Sequence, residues 1–157
     1  MNVLVIYDTV FGNTETIAKQ IGIGMQSSAF IQVVKVNDVT PAQIQEADFL
    51  LLGSPTRGFR ATDGMNNLVS ELSSAVLEGK QIATFDTRMD LTDIKSKMSR
   101  FIVKTGGFAA DKMAKELKKK GIQLAKEPEG FLVTGEKGEN MVPGEPERAA
   151  GWGKSLL

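Results

Sequence analysis

Short apolar runs alternate with amphipathic stretches along the whole chain. Residues 3–6 and 49–52 are unbroken apolar runs, which are typical of strands buried on both faces of a sheet. Between such runs, apolar residues recur at helical spacing, as at Met65, Leu68 and Leu72. The pattern therefore predicts an α/β fold in which helices cover both faces of a parallel sheet.

The same pattern sets the order and the approximate limits of the elements. The predicted strands cover residues 3–6, 30–36, 49–52, 81–85 and a fifth region, 122–133, which is broken by Pro128-Glu129-Gly130. The predicted helices cover residues 13–25, 41–45, 65–76, a weaker stretch before Gly106, 110–117 and 145–157. No internal repeat or linker interrupts residues 1–157, so we predict a single domain.

Composition narrows the kinds of chemistry that the chain can perform. It has 157 residues without cysteine or histidine, and 19 basic residues balance 19 acidic ones. The commonest general base and the commonest transition-metal ligands are therefore missing, so we predict no metal site and favour a protein that carries a cofactor. The charge balance favours neither nucleic acid nor a membrane as a partner. Because an apolar run follows Met1-Asn2 with no basic segment before it, we expect a cytoplasmic location.

Three polar loops follow predicted strands one, three and four, at residues 8–14, 54–64 and 86–93. In open parallel sheets, ligands bind outside the carboxyl ends of the strands. The first loop brings hydroxyls and backbone N–H groups to a helix N-terminus, which suits a phosphate dianion. A plain capped turn, with Asn13 as the cap and Glu15 interacting with the helix dipole, explains the same residues. The residues alone leave both interpretations open.

The segment Thr9-Val10-Phe11-Gly12-Asn13-Thr14-Glu15 resembles the loop that binds the phosphate of flavin mononucleotide (FMN) in flavodoxins. The segments Gly53-Ser54-Pro55-Thr56-Arg57-Gly58 and Phe85-Asp86-Thr87-Arg88 are similar to the two flavin-ring loops of that family. The resemblance covers essentially the whole chain and is nearest to the short-chain subgroup. It implies a flavodoxin-like three-layer sandwich whose five-stranded parallel sheet has the order 2-1-3-4-5.

The resemblance also implies which residues bind FMN. The first loop would hold the phosphate, the second would line one side of the flavin ring, and the third would contact the ring edge and the ribityl chain from the other side. Gly58 would carry a peptide that flips with the redox state of the flavin, since glycine tolerates positive φ. The implied cofactor-binding residues are Thr9, Val10, Phe11, Gly12, Asn13, Thr14, Ser54, Pro55, Thr56, Arg57, Gly58, Phe59, Asp86, Thr87 and Arg88.

Some of these positions depart from the pattern of the family. Phe11 stands where many relatives have a hydroxyl, so it either removes one phosphate bond or packs within the loop. No aromatic residue follows Asp86 in its loop to stack on the flavin. Arg88 either lies over the ring or pairs with a carboxylate, and Phe59 either stacks on the ring or anchors the loop in the core. The chain also lacks the strongly acidic balance typical of flavodoxins that dock to basic partners.

The resemblance implies an electron carrier that shuttles between redox partner proteins, as a monomer or a weak homo-oligomer. The alternative is an FMN-dependent NAD(P)H:quinone reductase, because Gly53-Ser54-Pro55-Thr56-Arg57 fits that group too. A phosphoreceiver domain needs a phosphorylatable aspartate at the end of the third strand, where this chain has Gly53-Ser54-Pro55. An interaction module that has lost its cofactor is a further alternative, which Phe11 and the missing stacking aromatic keep open.

Overall fold

The computed structural model describes residues 1–157, and all of its strands join one sheet with the order β2-β1-β3-β4-β5-β6. The strands are β1 (Asn2–Tyr7), β2 (Phe30–Lys35), β3 (Phe49–Pro55), β4 (Gln81–Met89), β5 (Glu129–Thr134) and β6 (Asn140–Met141). The predicted order of the first five strands is confirmed, and all four of their pairings are parallel. The sheet has six strands rather than five, because a short antiparallel β6 returns beside β5.

Helices cover both faces of the sheet and make the three-layer sandwich. They are α1 (Asn13–Met25), α2 (Pro41–Glu46), α3 (Asp63–Glu71), α4 (Ser74–Leu77), α5 (Lys97–Gly106), α6 (Ala109–Lys119) and α7 (Glu145–Lys154). Buried residues of α1 and α7 pack on one face, and those of α2, α3, α4 and α6 pack on the other. The alternation of side chains along β1 explains the two cores, since Val5 joins the first and Leu4 the second. None of the helices combines the length and the apolar character that a membrane crossing requires.

The strands at the centre of the sheet are longer than the apolar runs that predicted them. All seven residues of β3 are buried, including Ser54 and Pro55, which were expected to lie in a loop. Gly53 permits this extension, because a Cβ atom there would lie 2.0 Å from Cζ of Phe85 on the neighbouring strand. β4 likewise runs to Met89, so the expectation that it ends at Phe85 is wrong.

Three other boundaries differ from the prediction for local reasons. The predicted helix 65–76 is divided, because the Ser73 hydroxyl accepts a hydrogen bond from the backbone N–H of Val76 and begins α4. Residues 122–125 are not a strand, although the N–H of Ala125 donates to the carbonyl of Ile82 at 2.8 Å. The last helix ends at Lys154 rather than at residue 157.

Glycines allow α1 and α7 to approach closely behind β1. A Cβ atom on Gly24 would lie 2.0 Å from the carbonyl oxygen of Ala150, and one on Gly153 would lie 2.3 Å from that of Ile21. Any larger residue at either position would clash with backbone, which cannot move aside as a side chain can. This packing fixes the position of α1, whose N-terminus forms part of the site described next.

Candidate functional site

A cleft opens at the carboxyl ends of β1, β3 and β4. This edge lies where the strand order reverses, since β2 and β3 pair with opposite sides of β1. Such a switch point is where ligands bind in open α/β sheets. The lining residues are Thr9, Val10, Phe11, Asn13, Thr14, Pro55, Thr56, Arg57, Thr87, Arg88, Met89, Val133, Lys137 and Gly138.

The loop before α1 has the geometry of an anion cradle. Gly12 adopts φ 89°, a left-handed conformation, and its N–H donates to the Thr9 hydroxyl at 2.9 Å. The expectation that Asn13 caps α1 is wrong, because Gly12 is the cap residue and no side chain caps the helix. The backbone N–H groups of Asn13 and Thr14 donate no hydrogen bond within the protein. They lie at the positive end of a 13-residue helix, where anions bind favourably.

Glu15 does not oppose an anion in this cradle, because its carboxylate is engaged elsewhere. It accepts a hydrogen bond from the Lys19 ammonium at 2.6 Å, one helical turn away. That bond is the main reason why the pKa of Glu15 lies below its usual value. No carboxylate lines the cleft, whereas Arg57, Arg88 and Lys137 do. The donor set of the cleft therefore fits a phosphate dianion.

Two buried hydroxyls join the floor of the cleft. Thr14 on α1 and Thr87 on β4 are 1% and 3% exposed, and their Oγ1 atoms lie 2.8 Å apart. Only one proton can lie between the two oxygens, so the other hydroxyl proton is free for a second acceptor. Both residues line the cleft, which makes them candidate donors to a bound anion.

The loop after β3 forms a narrow hairpin that is anchored at several points. The N–H of Arg57 donates to the carbonyl of Arg60 at 2.8 Å, and the reverse bond measures 3.2 Å. The two residues between them, Gly58 and Phe59, both have positive φ, at 53° and 67°. This geometry favours glycine and is strained for Phe59, whose carbonyl accepts a hydrogen bond from the ammonium of Lys112 on α6.

Two further hydroxyls hold the base of this loop. The Ser54 hydroxyl accepts from the N–H of Thr62 at 3.0 Å, so fully buried Ser54 shapes the loop from below rather than lining the cleft. The Thr56 hydroxyl accepts from the N–H of Ala109 at 3.0 Å and ties the loop to the start of α6. Gly58 and Phe59 also lie outside the lining of the cleft.

A set of contacts that we call the mouth bridge joins three loops across the opening of the cleft. The guanidinium of Arg57 lies 5.3 Å from the centre of the Phe11 ring and donates to the carbonyl of Lys137 at 3.4 Å. The side-chain amide of Asn13 donates to the carbonyls of Gly138, at 3.3 Å, and Glu139, at 3.1 Å. Phe11 is 45% exposed. It therefore packs under Arg57 at the mouth, rather than in the core.

Asp86, Thr87 and Arg88 lie on β4, so the prediction that they form a loop is wrong. Asp86 is fully buried, and it does not line the cleft. Its Oδ1 accepts from Arg88 Nε at 2.6 Å, while its Oδ2 accepts from Arg88 Nη2 at 2.7 Å and from the N–H of Ala110 at 2.8 Å. Burial raises the pKa of Asp86, and the hydrogen bonds from Arg88 and Ala110 act in the opposite direction. The Asp86 side chain is thus hydrogen-bonded within the protein, and its expected contact with a flavin stays a prediction.

The two interpretations of Arg88 are also decided by this geometry. Arg88 pairs with a carboxylate, and its guanidinium lies 3.9 Å from the centre of the Phe108 ring. A Cβ atom on Gly130 would lie 2.2 Å from Arg88 Nε, so this glycine lets the arginine lie along β5. Arg88 is a wall of the cleft whose charge is already neutralised by Asp86.

Four lining residues were missed by the sequence analysis: Met89, Val133, Lys137 and Gly138. Lys137 and Gly138 belong to the turn between β5 and β6, which the sequence marks only as a loop rich in glycine and charge. Its cluster of glycines was the one signal available, since Gly135 and Gly138 both have positive φ. Met89 was missed because β4 is longer than its apolar run.

Comparison with known proteins identifies a family with these features. The family model described as flavodoxin matches residues 5–145, a span that includes all the residues lining the cleft. A protein named flavodoxin from Clostridium saccharobutylicum is 33% identical over 89 residues, which are 55% of this chain. The matched part is 56% of that relative's length.

Solved structures share the fold over almost the whole chain. An archaeal flavodoxin has a TM-score of 0.74 at 20% identity and covers 99% of this chain and 96% of its own. Flavodoxin 1 from Bacillus cereus has a TM-score of 0.70 at 18% identity, with coverages of 99% and 97%. The flavodiiron protein from Giardia intestinalis has a TM-score of 0.75 at 15% identity, but only 35% of that protein is covered. The predicted flavodoxin-like fold is confirmed.

Proposed function

This chain belongs to the flavodoxin family, and we propose that it is an electron carrier that holds FMN non-covalently in the cleft at the ends of β1, β3 and β4. Flavodoxins bind FMN, the cofactor that the loops of this chain predict. When bound, FMN takes up and releases one or two electrons. The task of the protein is to bind the cofactor, exclude water from it and adjust its potential.

The observation that carries the proposal is the anion cradle before α1. The free N–H groups of Asn13 and Thr14 lie at the helix N-terminus, and the cleft around them is lined by cations without a carboxylate. A phosphate dianion meets both a positive partial charge and fixed donors there. Thr9, Gly12, Asn13 and Thr14 are the residues that we assign to the phosphate.

The remaining assignments concern the flavin ring. We assign Pro55, Thr56 and Arg57 to one side of the ring, and Thr87 and Met89 to the other, because these residues line the same cleft. Gly58 is the position at which we expect the backbone to respond to the redox state. Its φ of 53° is one that glycine adopts at little cost, and no atom lies within 4 Å of its Cβ position. Gly58→Ala should therefore shift the reduction potentials, and unchanged potentials would remove this assignment.

The carrier is favoured over the quinone reductase by the contacts that cross the mouth of the cleft. A reductase needs room beside the flavin for a nicotinamide or a quinone as well. The mouth bridge, with Arg57 over Phe11, narrows the opening.

The proposal is tested by titrating the apoprotein with FMN and with riboflavin while flavin fluorescence is recorded. Riboflavin is the matched control, because it has the same ring without the phosphate. We expect FMN to bind at least about tenfold more tightly, since charge-assisted hydrogen bonds to the phosphate contribute about 1.5–3 kcal/mol. A colourless protein that ignores FMN would refute the proposal. Rapid NADPH-dependent reduction of a quinone by the holoprotein would favour the reductase.

Three expectations stay predictions: a single domain over residues 1–157, a cytoplasmic location, and a monomer or weak homo-oligomer. The redox partner proteins belong to the proposal, and their chemistry is taken up next.

A further inference from the structure

The segment between β4 and α6 carries exposed apolar side chains that pack in neither hydrophobic core. Only Val103 of α5 is buried, while Met98 is 74%, Phe101 66% and Ile102 39% exposed. Their spacing of three and four residues places them on one face of the helix. Large apolar side chains grouped on a surface mark an interaction site more often than isolated ones do. We call these three residues and the cations described next the α5 surface.

Unpaired positive charge flanks this apolar face. The segment contains Lys95, Lys97, Arg100 and Lys104, and its two carboxylates, Asp90 and Asp93, lie before these cations in the chain. None of the four cations forms an ion pair or a side-chain hydrogen bond. Helical spacing places Lys97, Arg100 and Lys104 on one stripe beside the apolar residues. In contrast, Arg88, Lys19 and Arg148 elsewhere in the chain each pair with a carboxylate.

Both ends of this segment are anchored at the proposed flavin cleft. Met89, which precedes it, lines the cleft, and the N–H of Ala109, which follows it, donates to the hydroxyl of Thr56 in the cleft wall. A protein that docks on α5 is thereby held beside the opening through which electrons would pass. The position, the apolar face and the free charge are three independent features of the same surface.

We propose that the α5 surface is the docking site for an acidic redox partner protein, a partner with carboxylates around a small apolar patch. The proposal rests on the proposed function, since it places the partner beside bound FMN. Charge complementarity selects the sign of the partner, because carboxylates would meet cations that have no partner in this chain. It also argues against a second copy of the chain. A two-fold symmetric contact through α5 would bring Lys97, Arg100 and Lys104 near their own copies.

Stopped-flow spectroscopy at several ionic strengths measures electron transfer between the FMN holoprotein and two probe proteins, from reduced ferredoxin to oxidised FMN and from reduced FMN to oxidised cytochrome c. A plant-type [2Fe–2S] ferredoxin is the acidic probe, and cytochrome c is the basic one. The double variant Lys97→Glu/Arg100→Glu reverses the α5 surface. Its matched control, Lys118→Glu/Lys154→Glu, makes the same change of net charge on exposed residues of α6 and α7.

We expect the wild-type protein to react with ferredoxin at a rate constant that falls as salt rises. The α5 double variant should lower this rate constant by at least about tenfold at low salt, and the control by less than about twofold. Phe101→Ser should lower it too while leaving its salt dependence unchanged. Absorbance spectra and FMN affinities should be unaffected in all variants, and these two readouts report on the proposed function separately from docking.

Several results would overturn the proposal. Equal losses in the two double variants would show that only net charge matters. A rate constant that falls with salt for cytochrome c but not for ferredoxin would show the opposite sign of partner. Weaker FMN binding in Phe101→Ser would assign the apolar face to the flavin. If the protein sediments as a dimer and Phe101→Ser dissociates that dimer, the apolar face of α5 binds a second copy of the chain. If the protein binds phosphatidylserine vesicles and the α5 double variant does not, the α5 surface binds a membrane.

Discussion

The hydroxyl pair between Thr14 and Thr87 makes a direct test of how the cleft binds phosphate. The two side chains are buried and 2.8 Å apart, so one donates to the other. We expect Thr87 to donate, because this leaves the Thr14 hydroxyl proton free for the phosphate beside it. Valine has nearly the shape of threonine, so Thr14→Val and Thr87→Val each remove one hydroxyl with little change in packing.

The expected magnitudes follow from burial. Each single substitution leaves the remaining hydroxyl without its partner, which should lower the free energy of unfolding of the apoprotein by about 1–3 kcal/mol. The double variant should cost less than the sum, because no unpaired hydroxyl remains. Thr14→Val should also lose a charge-assisted hydrogen bond worth about 1.5–3 kcal/mol, so FMN should bind about tenfold to a hundredfold more weakly. Thr87→Val should change FMN affinity by less than about threefold, well under the 1.4 kcal/mol of a tenfold change.

Urea unfolding of the apoprotein, followed by the fluorescence of Trp152, gives the stabilities, since Trp152 is the one tryptophan and is 7% exposed. Quenching of FMN fluorescence gives the affinities. Equal losses of FMN affinity in the two single variants would refute the assigned direction of the hydroxyl bond. Stability costs that simply add in the double variant would show that the two hydroxyls are not coupled.

Three other perturbations test the packing, the electrostatics and the mouth of the cleft. Gly153→Ala should lower the free energy of unfolding by about 2 kcal/mol, because its Cβ would lie 2.3 Å from a backbone carbonyl oxygen of α1. The control Gly151→Ala has nothing within 4 Å of its Cβ position and should raise the free energy of unfolding by about 0.5–1 kcal/mol. Equal effects of the two variants in thermal unfolding would contradict this reasoning. Burial acts to raise the pKa of Glu145, but hydrogen bonds from Arg148 and a backbone N–H outweigh it and hold the pKa below its usual value. A carboxyl pKa that is lowered by folding stabilises the fold at pH values above the unfolded pKa, near 4.3. The wild type should therefore lose this stability as pH falls through the folded pKa, and the free energy of unfolding of Glu145→Gln, measured with urea between pH 7 and 3, should depend less on pH. Parallel pH dependences of the two proteins would exclude this role of Glu145. Arg57→Ala removes the contacts of Arg57 with Phe11 and Lys137 but leaves those of Asn13. Loss of an exposed cation–π contact worth about 0.5–1 kcal/mol, together with one lining cation, should speed FMN release at least about twofold to fivefold in stopped-flow displacement. An unchanged rate would contradict this.

Much of the fold could be predicted because its central strands are buried on both faces. In β1 and β3 this burial leaves continuous apolar runs that no other element of the chain imitates. The loop before α1 was found for a related reason, since Gly12 must adopt positive φ and its neighbours must offer donors. These requirements concern residues close together in the chain, so they determine local residue types that can be recognised in the sequence.

The end of β4 could not be predicted, because its polar residues are satisfied by partners distant in sequence. Asp86 and Arg88 are two residues apart, so they share a face of the strand, and they form an ion pair there. The third hydrogen bond of Asp86 comes from the N–H of Ala110, 24 positions away. A segment reading Asp86-Thr87-Arg88 therefore has the composition of a loop and the burial of a central strand. The contact of Asn13 with Gly138 spans 125 positions and was hidden for the same reason.

The buried ion pair has a consequence for the charge of the cleft. Since Asp86 neutralises Arg88, the two lining cations that remain are Arg57 and Lys137, against a phosphate that carries about two negative charges. In the proposed complex, these two cations and the dipole of α1 would balance the phosphate. No carboxylate lines the cleft, so a negative charge added to bound FMN on reduction would meet no like charge there. Beyond Asp90 and Asp93, the four unpaired cations from Lys95 to Lys104 have the same sign of charge, and we therefore propose an acidic partner rather than a basic one.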